Sequence, residues 1–292
     1  FDRLSYLMSQ GDAVADVAVI YPVTPYEAET NGEEATQAAF HLGNRLMAAG
    51  INFDFIDHQS IARANIKDGQ LVVENANASY KVLVFPNMGA ARWNNLEKAT
   101  ALTDAGGLVL SVGKLPAISD HAGADDPALN DLLAKAIPKS NRFAGAGEAL
   151  EKIKAAFVHD VRGLNGTVRT LHRKIGPRDV YLTMDAKPGD VVEFRAKGAA
   201  ELWDPWTGET SPLRVIKETA TGTQVELPLE KYEAQVVVFD PRKKHSNPQQ
   251  PRTVLSELVT LPETDWQVAF LPTMDNQWGD FRLPVTEHNQ MI

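Results

Sequence analysis

The densest group of chemistry-bearing side chains lies in PTMDNQWGDFRLP, residues 272–284, where Asp275, Trp278, Asp280 and Arg282 fall close together. Carboxylates and a guanidinium beside an indole are the groups that recognise a polyol. The forked polar groups bind paired hydroxyls while the ring covers the apolar face of the sugar. These four residues are the candidate carbohydrate-binding set. The same stretch is bracketed by Pro272 and Pro284, which also suits a fixed polar network docking a neighbouring unit, since buried polar groups must be paired.

Other groupings are thinner. Asp54, Asp57 and His58 cluster at the end of INFDFID, where they could act as an acid–base pair or as two metal ligands. Such a position also suits a helix cap or a solvated turn. DHAGADDP (120–127) has the composition of a calcium loop but neither its alternating spacing nor its closing glutamate, so no metal is expected. Ser111 lies inside the run LVLSVG, with no glycine-flanked elbow to present it as a nucleophile. His172 and Arg173 fall on one strand and Asp179 on the next, the pattern of an inter-strand ion pair. Trp203 and Trp206 flank the turn in ELWDPWTGE; rings at such a turn plug a core or stack on a sugar. The loop YPVTPYEAETNGEE (21–34) carries four glutamates and no glycine cradle, so it does not suit a phosphate. No catalytic residue and no cofactor is expected.

The 292 residues include no cysteine, which removes disulfides, thiolate nucleophiles and Cys-ligated metals together. A net charge of −9 speaks against a nucleic-acid backbone as partner, because no cation excess exists to replace its counterions. No run reaches the ~20 apolar residues of a membrane span.

The elements that must position these residues change character along the chain. FDRLSYLMSQ places Leu4, Leu7 and Met8 on one helical face, read as the end of a preceding domain (1–11). Apolar strands near 16–23, 51–57, 80–87 and 108–113 then alternate with helices near 33–49, 94–105, 127–137 and 146–158. That alternation predicts βαβ units. Seven short strands with hairpin-like punctuation follow. The expected fold is therefore α/β plus all-β: a flavodoxin-like (amidotransferase-like) parallel-sheet domain at 12–162 and an antiparallel β-sandwich at 163–241. A basic, proline-rich linker (242–255) and the truncated start of a further β domain (256–292) complete the division.

FDRLSYLMSQG, DVAVIYP, AAGINFDFID, KVLVFPNM, DVYLTMD, ELWDPWTGE, YEAQVVVFD and PTMDNQWGDFRLP occur in this order. Together they resemble the large bacterial α-L-rhamnosidases of glycoside hydrolase family 106, over nearly the whole chain. The resemblance implies that the catalytic carboxylates and a calcium ion belong to an upstream (β/α)₈ barrel, whose motifs are not matched here. The chain would then be an inactive middle section of an exported bacterial enzyme acting on plant or microbial glycans. Its partners would be that barrel and downstream β domains. The alternative is a free-standing sugar- or nucleotide-binding α/β module; a free-standing protein should complete its third unit, and here that unit is expected to be cut short.

Overall fold

Strands covered on both faces carry apolar residues at every position rather than at alternate ones. Val17–Ile20 and Val82–Pro86 are of this kind, and Leu108–Val112 departs from it only at Ser111. In the computed structural model, which describes residues 2–187, 189–228 and 233–244, they form the centre of a five-stranded parallel sheet. Its order is Arg142–Phe143, Leu108–Val112, Val82–Pro86, Val17–Ile20, Phe53–Ile56.

Successive side chains point to opposite faces, and the core divides accordingly. Val17, Val19, Val82 and Val84 meet Ala39, Leu42 and Leu46 of helix Gly32–Ala48 and Ala149 and Ile153 of helix Ala146–Ala156. Ala18, Ile20, Leu83 and Phe85 meet Leu96, Ala99 and Leu102 of helix Trp93–Asp104 and Leu129 and Leu133 of helix Pro127–Ala136. Each fully buried Leu or Ile contributes about 1.5–3 kcal/mol relative to exposure.

Most of the remaining strands pair antiparallel, the exception being Ala90–Ala91, which pairs in parallel with Ile118–Ser119. A six-stranded sheet runs Asp12–Val14, Arg169–Ile175, Arg178–Met184, Ala234–Asp240, Ala199–Trp203, Thr210–Pro212. A four-stranded sheet runs Val161–Gly163, Asp190–Phe194, Thr223–Leu227, Val215–Glu218. Tyr181, Leu202, Val237 and Phe239 of the first share a core with Val192, Phe194, Val225 and Leu227 of the second. On the other face of the six-stranded sheet, Val180, Leu182, Val236 and Val238 are covered by Leu4, Leu7 and Met8 of the opening helix Asp2–Met8 and by Trp203. No described helix is long and apolar enough to cross a membrane.

This corrects the expected fold class. A flavodoxin-like domain followed by a separate β-sandwich is not what the residues build. They form mixed sheets, one parallel and five-stranded, one antiparallel and six-stranded. The opening strand Asp12–Val14 joins the antiparallel sheet, Val14 opposite His172. A three-stranded antiparallel sheet, Asn65–Lys67, Gln70–Val73 and Ala78–Tyr80, also interrupts the α/β alternation. Local periodicity reports whether a segment is a strand, but not which distant strand it pairs with.

Candidate functional site

Asp16 and Lys81 stand immediately before two fully apolar strands, so their charges are held at the edge of a hydrophobic layer and need partners. They find each other, Lys81 Nζ lying 2.7 Å from Asp16 Oδ1. The Asp16 carboxylate also meets Arg195, with Nη1 at 3.0 Å and Nη2 at 3.2 Å. Arg195 Nη2 continues to Asp160 Oδ1 at 3.4 Å. Asp160 Oδ2 lies 2.7 Å from His172 Nδ1, and His172 Nε2 lies 3.1 Å from Asp179 Oδ1. Lys174 Nζ closes the series on Asp179 at 2.8 Å. The result is a ladder of alternating charge: Lys81, Asp16, Arg195, Asp160, His172, Asp179, Lys174. It ties the parallel sheet to the antiparallel ones.

The middle of the ladder is buried, with the His172 and Asp160 side chains 4% and 7% exposed. A neutral imidazole has one N–H, yet both His172 nitrogens face carboxylate oxygens, a geometry that suits the doubly protonated ring. Burial pushes the His172 pKa down, but hydrogen bonds to Asp160 and Asp179 outweigh it and the net direction is upward. Burial pushes Asp179 up; His172 and Lys174 more than reverse this, and its carboxyl group ends below the ordinary value. His172 stacks on Tyr181, its cross-strand neighbour, at 4.0 Å between ring centroids. The Tyr181 hydroxyl donates to Asp160 at 3.3 Å, and burial drives the phenol pKa well up. Beside the ladder lies a cleft of about 400 Å³, lined by Asp12, Asp16, Lys81, Lys174 and Arg195 among others.

A second carboxylate is saturated in another way. Glu193 accepts from Thr219, Thr221, Gln224 and Arg162 at 2.6–2.9 Å. Burial pushes this carboxyl up, but the donors hold it down at about 2 against an ordinary 4.5. A depressed carboxylate contributes stability that is present above the ordinary value and is lost as pH falls through the folded one. Urea midpoints should therefore drop as pH is lowered from 4.5 towards 2, and Glu193→Gln should flatten that acid limb. Equal slopes in the two proteins would refute the assignment.

Of the residues singled out in the sequence, Asp275, Trp278, Asp280 and Arg282 lie outside the described residues, as does the expected unit 256–292. Asp54, Asp57 and His58 serve separate ends. Asp54 accepts from Tyr80 Oη at 3.0 Å. Asp57 caps helix His58–Arg63 through the Gln59 and Ser60 amides. His58 Nδ1 is buried with no partner among the described residues. In DHAGADDP, Asp126 caps helix Pro127–Ala136 and meets His121, while Asp120 holds the Trp93 amide and Arg92. Among the described residues no group of three or more His, Cys, Asp or Glu could hold a metal ion. Ser111 is wholly buried within its strand. His172 pairs with Asp179 as expected, but Arg173 turns to the carbonyls of Gln10 and Gly11. Trp203 packs against the sheet and Trp206 is exposed.

Sequence reasoning missed Asp16, Lys81, Asp160, Lys174 and Arg195. The one available signal was a charge abutting an uninterrupted apolar strand, at Asp16 before VAVI and Lys81 before VLVFP.

Residues 1–217 match the family model described as alpha-L-rhamnosidase, glycoside hydrolase 106. No curated protein matches the chain. Among solved structures, the chain is similar to a rhamnosidase from Novosphingobium sp. PP1Y, with a TM-score of 0.57 and 23% identity over 91% of this chain and 25% of that one. It is also similar to an alpha-L-fucosidase isoenzyme 2 from Paenibacillus thiaminolyticus, with a TM-score of 0.50 and 14% identity over 82% of this chain and 50% of that one. A beta-galactosidase from Bacillus circulans sp. alkalophilus gives a TM-score of 0.50 and 12% identity over 82% and 43% of the two chains. At these identities the likeness is one of fold. The chain spans from a quarter to a half of the length of these proteins.

Proposed function

The chain belongs to glycoside hydrolase family 106, the α-L-rhamnosidases, and on that premise we propose that it is a non-catalytic section of a larger glycoside hydrolase, supporting a catalytic barrel carried elsewhere in the same protein. The observation that carries this reading is reach: the chain covers 25% of the rhamnosidase from Novosphingobium sp. PP1Y to which it is similar. Inverting and retaining glycosidases both need a carboxyl group held protonated to donate to the leaving oxygen, which requires a raised pKa. Among the described residues, every carboxyl group with a perturbed pKa is perturbed downward: Asp57, Glu74, Asp120, Asp126, Asp179, Glu193, Glu201 and Asp240. These are acceptors fixed by hydrogen-bond donors, an arrangement that suits a supporting section.

The calcium ion that the resemblance to the family implies finds no group of three or more His, Cys, Asp or Glu to hold it among the described residues. Export to the periplasm or cell surface, further β domains in the same chain and a plant or microbial glycan as substrate belong to the same proposal, and rest on family membership alone.

The 292-residue chain should release no phenol from an aryl α-L-rhamnoside above the buffer rate. Turnover that disappears on replacing a carboxylate among the described residues would end the non-catalytic reading.

A further inference from the structure

Trp206 and Tyr6 are the two most exposed large apolar side chains among the described residues, at 77% and 70%. Scattered exposed apolar residues are ordinary and need no explanation. These two differ in being carried on two backbone segments that Arg3 ties to each other. Trp206 sits in the turn between Ala199–Trp203 and Thr210–Pro212. The Asp204 carboxylate accepts from the Trp206 amide at 2.8 Å and the Thr207 amide at 3.3 Å, and the Gly208 amide donates to the Asp204 carbonyl at 2.8 Å. Gly208, at φ +82°, closes the turn in the left-handed region.

The second element is the opening helix, anchored on the sheet through Leu4, Leu7 and Met8. Arg3 of that helix donates Nη1 to the carbonyls of Pro205 at 3.2 Å and Trp206 at 2.5 Å. Tyr6 lies three positions on from Arg3, on the same helical face. The guanidinium rests against Gly208, where a Cβ would meet Nε at 3.1 Å. Its Nε and Nη2 make no hydrogen bond among the described residues. The exposed Trp206 and Tyr6 rings are thus carried on two elements joined by one guanidinium, whose Nε and Nη2 are left open.

Rings that cover an apolar face, with forked donors beside them, are what a sugar ring presents a surface for. A fixed backbone under the rings lowers the ordering cost of binding. We propose that Trp206, Tyr6 and Arg3 form a carbohydrate-binding platform for a pyranoside of a glycan chain. It stands apart from the charged ladder, and rests on the reading of the chain as a non-catalytic part of a glycoside hydrolase.

The test is saturation-transfer NMR on the 292-residue chain with methyl α-L-rhamnopyranoside as the probe. Transfer to the ring C–H and methyl protons is expected. Trp206→Ala should weaken binding at least about tenfold, a change of about 1.4 kcal/mol, with an unchanged melting temperature, and Trp206→Tyr should keep most of it. No transfer to the probe at millimolar concentration, or equal transfer in Trp206→Ala, would overturn the platform. So would a melting temperature lowered by several degrees in Trp206→Ala, which would mark the ring as packing. Absent binding without hydrolysis retires the platform alone, whereas hydrolysis retires the non-catalytic reading.

Discussion

Asp160→Ala is expected to destabilise the protein by about 3–5 kcal/mol, the cost of removing one partner from a buried ion pair. The Asp160 carboxylate receives His172 Nδ1 at 2.7 Å, Tyr181 Oη at 3.3 Å and Arg195 Nη2 at 3.4 Å. Its loss leaves the His172 Nδ1–H and the Tyr181 phenol without their acceptor in a dry site and only Asp179 facing the imidazolium, and buried polar groups without a partner are what make such variants costly. In urea the midpoint should fall with little change in slope, since the surface exposed on unfolding is nearly the same. The double variant Asp160→Leu with His172→Leu should recover much of the loss, because an apolar replacement of a whole buried pair is often neutral. A loss below about 1 kcal/mol in the single variant would place the ladder with exposed ion pairs, which contribute little.

The ladder also accounts for what the sequence could and could not convey. The apolar runs VAVI, VLVFP and LVLSV were legible as strands because both of their faces are buried. Helix Gly32–Ala48 was legible because Ala35, Ala39, Leu42 and Leu46 recur at helical spacing. All seven short strands expected after Gly163 are present, from Arg169–Ile175 to Ala234–Asp240. What failed was assembly. Val14 opposite His172 is a pairing across most of the α/β region, and no local pattern encodes it. The hairpin at Asn65–Val73 carried a usable signal in Asp68-Gly69, both at positive φ, the turn that joins two-residue hairpins. Helix Val23–Glu27, lying between Pro22 and Ala28 with Pro25 inside it, falls within the segment 21–34 that reads as a loop. The site was harder still. The ladder draws on Asp16, Lys81, Asp160, His172, Lys174, Asp179 and Arg195, and only the neighbours His172, Lys174 and Asp179 share a hairpin. Chemistry assembled from separate segments leaves no spacing to read.

His172 should titrate above the ordinary histidine value of about 6.5, and the protein should lose stability as pH rises through that raised pKa. Two effects compete at this ring. Burial favours the neutral imidazole, whereas Asp160 and Asp179, one on each nitrogen, favour the cation, and the carboxylates prevail. The other charged groups nearby divide: Lys174 and Arg195 are spent on Asp179 and Asp160, and the Tyr181 phenol stays neutral because its pKa is driven up. Between about pH 6.5 and the folded pKa the native state keeps a proton that the unfolded chain has released, so unfolding liberates it and stability falls with rising pH. Below about 6.5 both states are protonated and the contribution is fully present. Asp179 works the other way. Its pKa is depressed, so its contribution is present above the ordinary value of 3.8 and is lost as pH falls through the folded one. The His172–Asp179 pair should stabilise most between about pH 4 and 6.5, above the depressed Asp179 value and below the raised His172 one. Two-dimensional NMR of the imidazole protons gives the folded pKa directly, and urea unfolding from pH 5 to 9 gives its consequence. His172→Gln should lower stability at pH 5.5 and remove the decline above neutrality. A ring that titrates below about 6.5 would mean that burial outweighs both carboxylates; stability would then rise with pH over this range, and the alternating ladder would not be the charge state of the folded protein.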